Sequence, residues 1–568
     1  MKKTIDCLLI GQNEMNFTDH EAIVRKMGIH SGAYRDLNKN FIRIDHKLYP
    51  VSDAFNLFYR SGNSHPEVKP LKLGETFSAA IAYLGTYLHR RGFMFDYVNC
   101  FQEEKEELSN KLAQENIRTI AIITTLYVSP FPIYEVMNWI KKYNQEAKIV
   151  IGGPFISTQV RTLNAMELEY LFKSIDADFY VNSPQGEAAL VSIIEALENN
   201  LPFDHINNIY YKTGNGYAST PIQPEQNQLS ENMVNWELFS HRVGEYVDLR
   251  TSISCPFRCT FCGFPEHAGK FQKVEVEKIE RELNQLQQIE SVKYLNFIDD
   301  TFNVPQKRFK DILRMMIKNR YNFKWQSHFR CQFADREMIE LMKESGCIAV
   351  FLGLESGNNR ILKNMNKAAA VEKYLEGIAL LKEYGIVTHG SFIVGFPGET
   401  EKTVMDSIQL IEESGIDFYR SQLWYCETIT PIWKEREKYK IKGSQYEWTH
   451  ETMDAKTAAD LVDKMFLSIN KSVWVPQYHF EFYHLVHLLQ REIPIETVKA
   501  FLTGFNNGVR EKLLNPHQKM VSSEVIRQIK RACEGNSHSA DLPCNKEKLL
   551  SKYDAGFDFL NQGGFHRM

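Results

Sequence analysis

The chain has 568 residues, with 67 Lys and Arg against 71 Asp and Glu, a net charge of -4. That balance supplies no global field for nucleic acid, and the length predicts about three domains rather than one core. Asp6 and Gly11 interrupt the first apolar stretch and no later run is long enough for a bilayer, so the expectation is a cytoplasmic protein with no signal peptide, membrane or nucleic-acid partner.

Residues 1–235 read as alternating strands and helices. Strands are expected at Asp6–Gly11, Phe95–Val98, Thr119–Thr125, Lys148–Ile151 and Phe179–Val181, and helices at Ala80–Arg91 and Tyr134–Tyr143. This pattern predicts a doubly wound, Rossmann-like sheet whose strand ends form a ligand crevice. Residues 13–74 interrupt it as an insertion with few periodic patterns, either lying over a ligand or elaborating the surface.

From residue 236 to about 440 the pattern changes to six β-α units, with strands expected at Val247–Ser254, Lys293–Ile298, Lys324–Arg330, Ile348–Leu354, Val387–Val394 and Phe418–Tyr425. Apolar residues three to four apart, as at Ile279, Leu283 and Leu286, mark the helices between them. Six such units make a partial (β/α) barrel with an open side, so the fold class is α/β. Chemistry is expected where parallel strands end. There stand Asp299-Asp300, Arg330, Glu355-Ser356 and Gly395-Phe396-Pro397-Gly398-Glu399. Asp299 is equally suited to capping a helix, and Gly395 to making a turn. Residues 441–568 read as a helical C-terminal domain, with amphipathic segments at Met453–Leu467 and Val498–Phe505 and a flexible linker at Asn536–Asn545.

Ten cysteines in so long a chain are not a disulfide framework, and Cys7, Cys100, Cys331, Cys347 and Cys426 read as small buried hydrophobes. Cys255, Cys259 and Cys262 stand apart from them, directly after the first barrel strand. Three closely spaced thiolates can hold three corners of a [4Fe-4S] cluster and leave one iron open. A structural zinc knot is the alternative; it needs a fourth ligand, and His267 is the nearest candidate, at a spacing that fits no common zinc pattern.

The C-x-x-x-C-x-x-C spacing resembles the radical S-adenosylmethionine (SAM) superfamily. That resemblance implies that SAM chelates the open iron and is cleaved to a 5′-deoxyadenosyl radical. It also implies that Glu355 and Ser356 contact the ribose or amino-acid part of SAM, that Arg330 lies near its carboxylate, that Phe261 sets backbone against the adenine, and that Asp299 and Gly395 belong to the same binding edge. In the N-terminal region, Leu84-Gly85-x-Tyr87-Leu88, Thr124-Thr125-Leu126, Gly152-Gly153 and Gly186-Glu187 resemble the cobalamin-binding domain joined to one large class of these enzymes. Leu126 or Tyr127 would then face the lower side of the cobalt. The D-x-H-x-x-G element of many cobalamin proteins is missing, since Asp19-His20 and Asp45-His46 are adjacent pairs.

Within that class, the opening strand and the runs Ser31–Asn38 and Thr124–Pro130 resemble the P-methyltransferases of phosphinate natural-product biosynthesis. The resemblance implies transfer of a methyl group from methylcobalamin to an unactivated carbon or a phosphinate phosphorus. The acceptor would be a small-molecule or carrier-bound biosynthetic intermediate, and the electron donor a flavodoxin or ferredoxin. Arg420 would pair with an anionic acceptor, or else with a carboxylate inside the barrel. A cobalamin-dependent rearrangement or cyclisation shares every motif, and a cobalamin carrier or sensor with an inert barrel is the reading from another class. A methylthiotransferase would need a second cysteine set, and the N-terminal region has only Cys7 and Cys100.

Overall fold

The computed structural model describes residues 3–13, 15–60, 69–72, 76–125, 127–478, 480 and 482–534. Leu126, Cys544 and the linker expected at Asn536–Asn545 lie outside them.

The N-terminal sheet has seven strands in the order Gly216–Ser219, Ile209–Thr213, Phe179–Val181, Lys148–Gly152, Asn116–Ile123, Thr4–Gln12 and Phe95–Cys100. The last five are mutually parallel and the first two form an antiparallel hairpin at the edge. Alternation along Thr4–Gln12 explains the double winding. Leu8 and Ile10 pack with Ile133, Val136 and Ile140 on one face, while Cys7 and Leu9 pack with Ile81 and Leu88 on the other.

The barrel is wider than the six expected units. Its six strands, Tyr246–Leu249, Tyr294–Phe297, Lys324–Phe329, Cys347–Glu355, Val387–Val394 and Phe418–Leu423, are all parallel. Two-residue strands extend both ends: Thr76–Phe77 pairs with the first barrel strand and Val473–Trp474 with the sixth, making eight. Short segments from either flank thus supply partners for edge backbone that would otherwise lack them. Two-residue strands are too short to leave a periodic pattern. The first barrel strand also differs from the expected Val247–Ser254. It stops at Leu249, and Ser252–Ile253 pairs separately with Gln272–Lys273.

The insertion is more regular than its sequence pattern indicated. It holds the helices Phe17–Lys26 and Gly32–Leu37, the hairpin Phe41–Ile44 with Lys47–Pro50, and the helical turn Val51–Phe55. Asp45 and His46 both have positive φ, 46° and 65°, as a tight hairpin turn demands. The insertion packs on the C-terminal helices rather than lying free. Arg35 pairs with Asp460 and Asp463 of the helix Ala455–Ser468, each at 2.5 Å, and buried Lys39 reaches Asp463 at 2.9 Å. The C-terminal region is helical at Ala455–Ser468, Phe482–Gln490, Ile495–Leu514 and Ser523–Cys533. Among the described residues no helix is long and apolar enough to cross a membrane.

Candidate active site

Cys255, Cys259 and Cys262 lie on the loop after the first barrel strand, at the end of the barrel where its parallel strands finish. Neighbouring backbone pins the loop: Thr260 N–H donates to Met365 O at 2.8 Å, Thr260 Oγ1 to Asn364 O at 2.9 Å, and Asn366 Nδ2 to Arg258 O at 2.8 Å. Among the described residues no three His, Cys, Asp or Glu side chains are drawn up at metal-binding spacing.

The donor set fits an iron–sulfur cluster better than zinc. Burial pushes the Cys262 thiol up to about 11, with charge on Cys259, Asp300 and Cys255 adding to it; burial also raises Cys259. Thiols that feel one another in a dry site need a strongly positive group to ionise together. His267, the nearest candidate for a fourth zinc ligand, has its Nδ1 2.8 Å from Arg161 Nη1. The other five cysteines read as core residues are buried, as expected, and Cys533 is buried too.

Arg330 sits directly beside the loop. It is buried, Nη2 approaches Cys259 Sγ at 3.5 Å and donates to Lys367 O at 2.9 Å, and the guanidinium stacks 3.6 Å from the Phe257 ring centroid. Nη1 is buried without a partner among the described residues. A buried guanidinium with a spare donor is suited to an incoming carboxylate. Glu355 closes the fourth strand at φ 66°, where the strand register shifts, and pairs with Lys367 Nζ at 2.8 Å; both side chains are buried. Lys367 also lies 5.5 Å from the Phe261 ring, which contacts Phe396 edge-on at 6.4 Å. Ser356 is buried and its hydroxyl accepts from Asn358 N at 3.2 Å.

Three expected contacts have other roles. Asp299 neither caps a helix nor faces the loop: its two oxygens accept from Thr251 N at 2.9 Å, Thr251 Oγ1 at 2.8 Å, Ser252 Oγ at 2.6 Å and Ser252 N. It thereby fixes the turn by which the first strand leaves the barrel toward Cys255. The neighbouring Asp300 is the carboxyl at the mouth. It is exposed, raises Cys262 by its charge, and is itself pushed up to about 7 by its surroundings and by Asp299. Gly395, at φ 96°, is a turn: its N–H donates to buried Glu399 at 2.5 Å, its carbonyl meets His450 Nε2 at 2.9 Å, and an added Cβ would lie 2.6 Å from Trp448.

Arg420 is spent inside the molecule. It is buried, its Nη2 donates to Asp36 at 2.8 Å and its Nη1 to Asn40 at 3.0 Å, and Trp474 covers it at 4.9 Å. The carboxylate comes from the insertion, 384 residues away in sequence, rather than from the barrel itself.

The second candidate edge is at the ends of the N-terminal strands. Thr124 N and Oγ1 both donate to Gly152 O, at 2.9 and 2.8 Å. Gly153, at φ 114°, starts the helix Pro154–Thr162; a Cβ there would lie 2.9 Å from Thr124 Oγ1. Gly186, at φ 81°, starts the helix Glu187–Asn199, and its N–H donates to Ser183 Oγ at 3.2 Å. Asn227 Nδ2 donates to half-buried Glu187 at 3.2 Å. Thr125 is exposed, whereas Tyr127 is buried beneath the edge with its hydroxyl 3.5 Å from Gly11 O. Thr124, Gly152, Gly153 and Gly186 thus present backbone and small side chains, which fits a flat ligand needing close approach. His20 stacks on Tyr478 at 5.0 Å. The helix that begins at Gly153 carries Arg161, so the same helix joins this edge to His267, five residues past Cys262.

Lys367, Thr301 and Asp300 complete the cysteine mouth; Thr301 Oγ1 lies 3.4 Å from Cys255 Sγ. Asp300 was legible as part of a strand end, and Thr301 was not. Lys367, twelve residues past its partner, lies in a loop with positive φ at Asn366 and Ala368 that no local pattern marks.

Known proteins resemble this chain over part of its barrel and, in fold, over nearly its whole length. Residues 249–411 match the family described as the Radical SAM superfamily. An uncharacterized methyltransferase of Pyrococcus horikoshii is 27% identical over 55% of this chain and 68% of its own length. An anaerobic magnesium-protoporphyrin IX monomethyl ester cyclase of Rubrivivax gelatinosus is 24% identical over 75% of this chain and 79% of its own. Among solved structures, the cobalamin-dependent SAM radical enzyme OxsB, with aqua-cobalamin and SAM bound, superposes with a TM-score of 0.57 at 14% identity, covering 98% of this chain and 81% of OxsB. Residues 249–411 thus match a radical SAM domain, and the chain shares the overall fold of OxsB.

Proposed function

We propose that this protein is a cobalamin-dependent radical SAM methyltransferase that methylates a carbon or phosphorus centre of a biosynthetic intermediate. One observation carries the reading: a loop with three thiols, with no fourth ligand drawn up to it among the described residues, opens at the barrel mouth, and Arg161 ties that loop to a glycine-lined sheet edge. Cys255, Cys259 and Cys262 would hold a [4Fe-4S] cluster, and the edge formed by Thr124, Gly152, Gly153 and Gly186 would hold cobalamin. When bound, these groups would supply the electron that cleaves SAM and the methyl group that is transferred.

The protein's own residues bind and orient. Arg330, with Nη1 uncommitted, meets the carboxylate of SAM. Glu355, held by Lys367, presents its remaining oxygen to the ribose hydroxyls or the amino group, and Phe261 lies beside them. Arg330, Glu355 and Lys367 are themselves buried, so their charges act on a bound ligand with little screening by bulk water. A flavodoxin or ferredoxin would deliver the electron.

A cobalamin-dependent cyclisation is the second reading, favoured by the likeness to the Rubrivivax cyclase. Anaerobic reconstitution with methyl-labelled SAM and candidate acceptors separates the two by mass spectrometry. Gain of one labelled methyl together with 5′-deoxyadenosine supports transfer; deoxyadenosine with a product of unchanged carbon count supports cyclisation.

A further inference from the structure

The barrel interior has a charge pattern that the mouth does not explain. His328 stands mid-strand in the third barrel strand yet is exposed, so it lines an interior space rather than the packed core. Strand register sets Phe351 beside it and His389 beside Phe351, with ring centroids 5.0 Å apart at each step. Phe482, from the helix Phe482–Gln490, closes the row at 5.7 Å from His389. His389 is only 4% exposed, and neither ring nitrogen has a partner among the described residues. A buried imidazole with both nitrogens unpaired is a standing cost that a hydrogen-bonding ligand would relieve.

One cation, Arg420, faces the row, and its buried Nε is without a partner among the described residues. The protein around the space desolvates His328 and pushes it down to about 4, and burial lowers His389 as well, so both are neutral at neutral pH. Arg420 is already neutralised by Asp36 at 2.8 Å. Of the acids on these strands, Asp248 is bonded by Asn296 at 2.9 Å and Glu355, at the mouth, is paired with Lys367 at 2.8 Å. An anion at this depth would sit among neutral rings and one carboxyl, without the paired cation that burial of a charge requires.

We infer that the acceptor's inner end lies in the barrel interior against His328 and His389, and that it is an uncharged hydrogen-bonding group such as an amide or azole, not a carboxylate or phosphinate. A neutral imidazole offers one donor and one acceptor, which is the complement of such a group. Phe351 and Phe482 give it flat apolar walls. This deepens the proposed function and rests on it for the term acceptor; the test below reads binding alone, so it can fail while labelled-methyl transfer succeeds, and the reverse.

Benzamide and benzoate are near-isosteric probes that differ in charge. On the full-length reconstituted protein, calorimetry or saturation-transfer NMR should show benzamide binding at least about tenfold tighter than benzoate. His328→Phe, which keeps a flat ring but no nitrogen, should lose the benzamide preference. Asp36→Asn, which frees the charge of Arg420, should bring benzoate up to or past benzamide. Circular dichroism and iron content confirm that each variant is folded and loaded. Equal or tighter benzoate binding to the unmodified protein, no detectable benzamide binding, or a benzamide preference unchanged in His328→Phe overturns the inference.

Discussion

Asp299→Ala separates a carboxylate that builds the loop from one that binds SAM. In the folded protein Asp299 is buried and its oxygens accept from two backbone N–H groups and two hydroxyls of Thr251 and Ser252. Alanine leaves both N–H groups without their acceptor at about 1–3 kcal/mol each, while the hydroxyls can turn to other partners. Removing a carboxylate that burial already disfavours gives some of that back. The net loss should be about 2–4 kcal/mol. Denaturant unfolding at unchanged m-value measures it, and the same preparation should take up less iron, because the turn that aims the chain at Cys255 is no longer held. Asparagine keeps an acceptor for the backbone donors and should cost about 1 kcal/mol. A stability within about 0.5 kcal/mol of the parent, paired with a weakened affinity for SAM, would refute this reasoning and restore Asp299 to the ligand.

Further outcomes are expected elsewhere. Cys259→Ala should bind less than the full complement of iron and form no 5′-deoxyadenosine, and a fully active variant would remove the site. Asp463→Ala leaves buried Lys39 without its carboxylate and strips one of two partners from Arg35, a loss of about 3–5 kcal/mol that unfolding should show. An unchanged midpoint would mean the insertion is held by apolar contacts alone. Burial pushes Glu399 up to about 8, so between its ordinary range and that value the folded chain keeps a proton that the unfolded chain releases. Its contribution is therefore present in acid and is lost as pH rises through about 8. Thermal unfolding should show the parent losing more stability than Glu399→Gln between about pH 5 and pH 8, and parallel slopes would contradict it.

Local pattern was enough for much of this protein. Six barrel strands and five strands of the N-terminal sheet were legible because each alternates or clusters apolar residues at a period that only one backbone geometry can bury. The three cysteines were legible because their ligand role needs nothing beyond their mutual spacing. The glycines at 152, 153 and 186 announced a strand edge because short runs of small residues interrupt strong periodicity.

What only the tertiary structure decided is how charges find their partners. Asp299 and Asp300 are indistinguishable in sequence, yet one faces the backbone of Thr251 and Ser252 and the other faces Cys262, because adjacent residues at a strand end point to opposite sides. The sequence leaves Arg420 between an anionic acceptor and an internal carboxylate until Asp36, hundreds of residues earlier, is brought against it, and Lys367 has no visible link to Glu355 until the chain folds back. The two-residue strands that widen the barrel are equally silent, since two residues carry no period. A local pattern records which backbone shape a segment prefers; the pairing of distant charges and edges is set by the packing of whole domains.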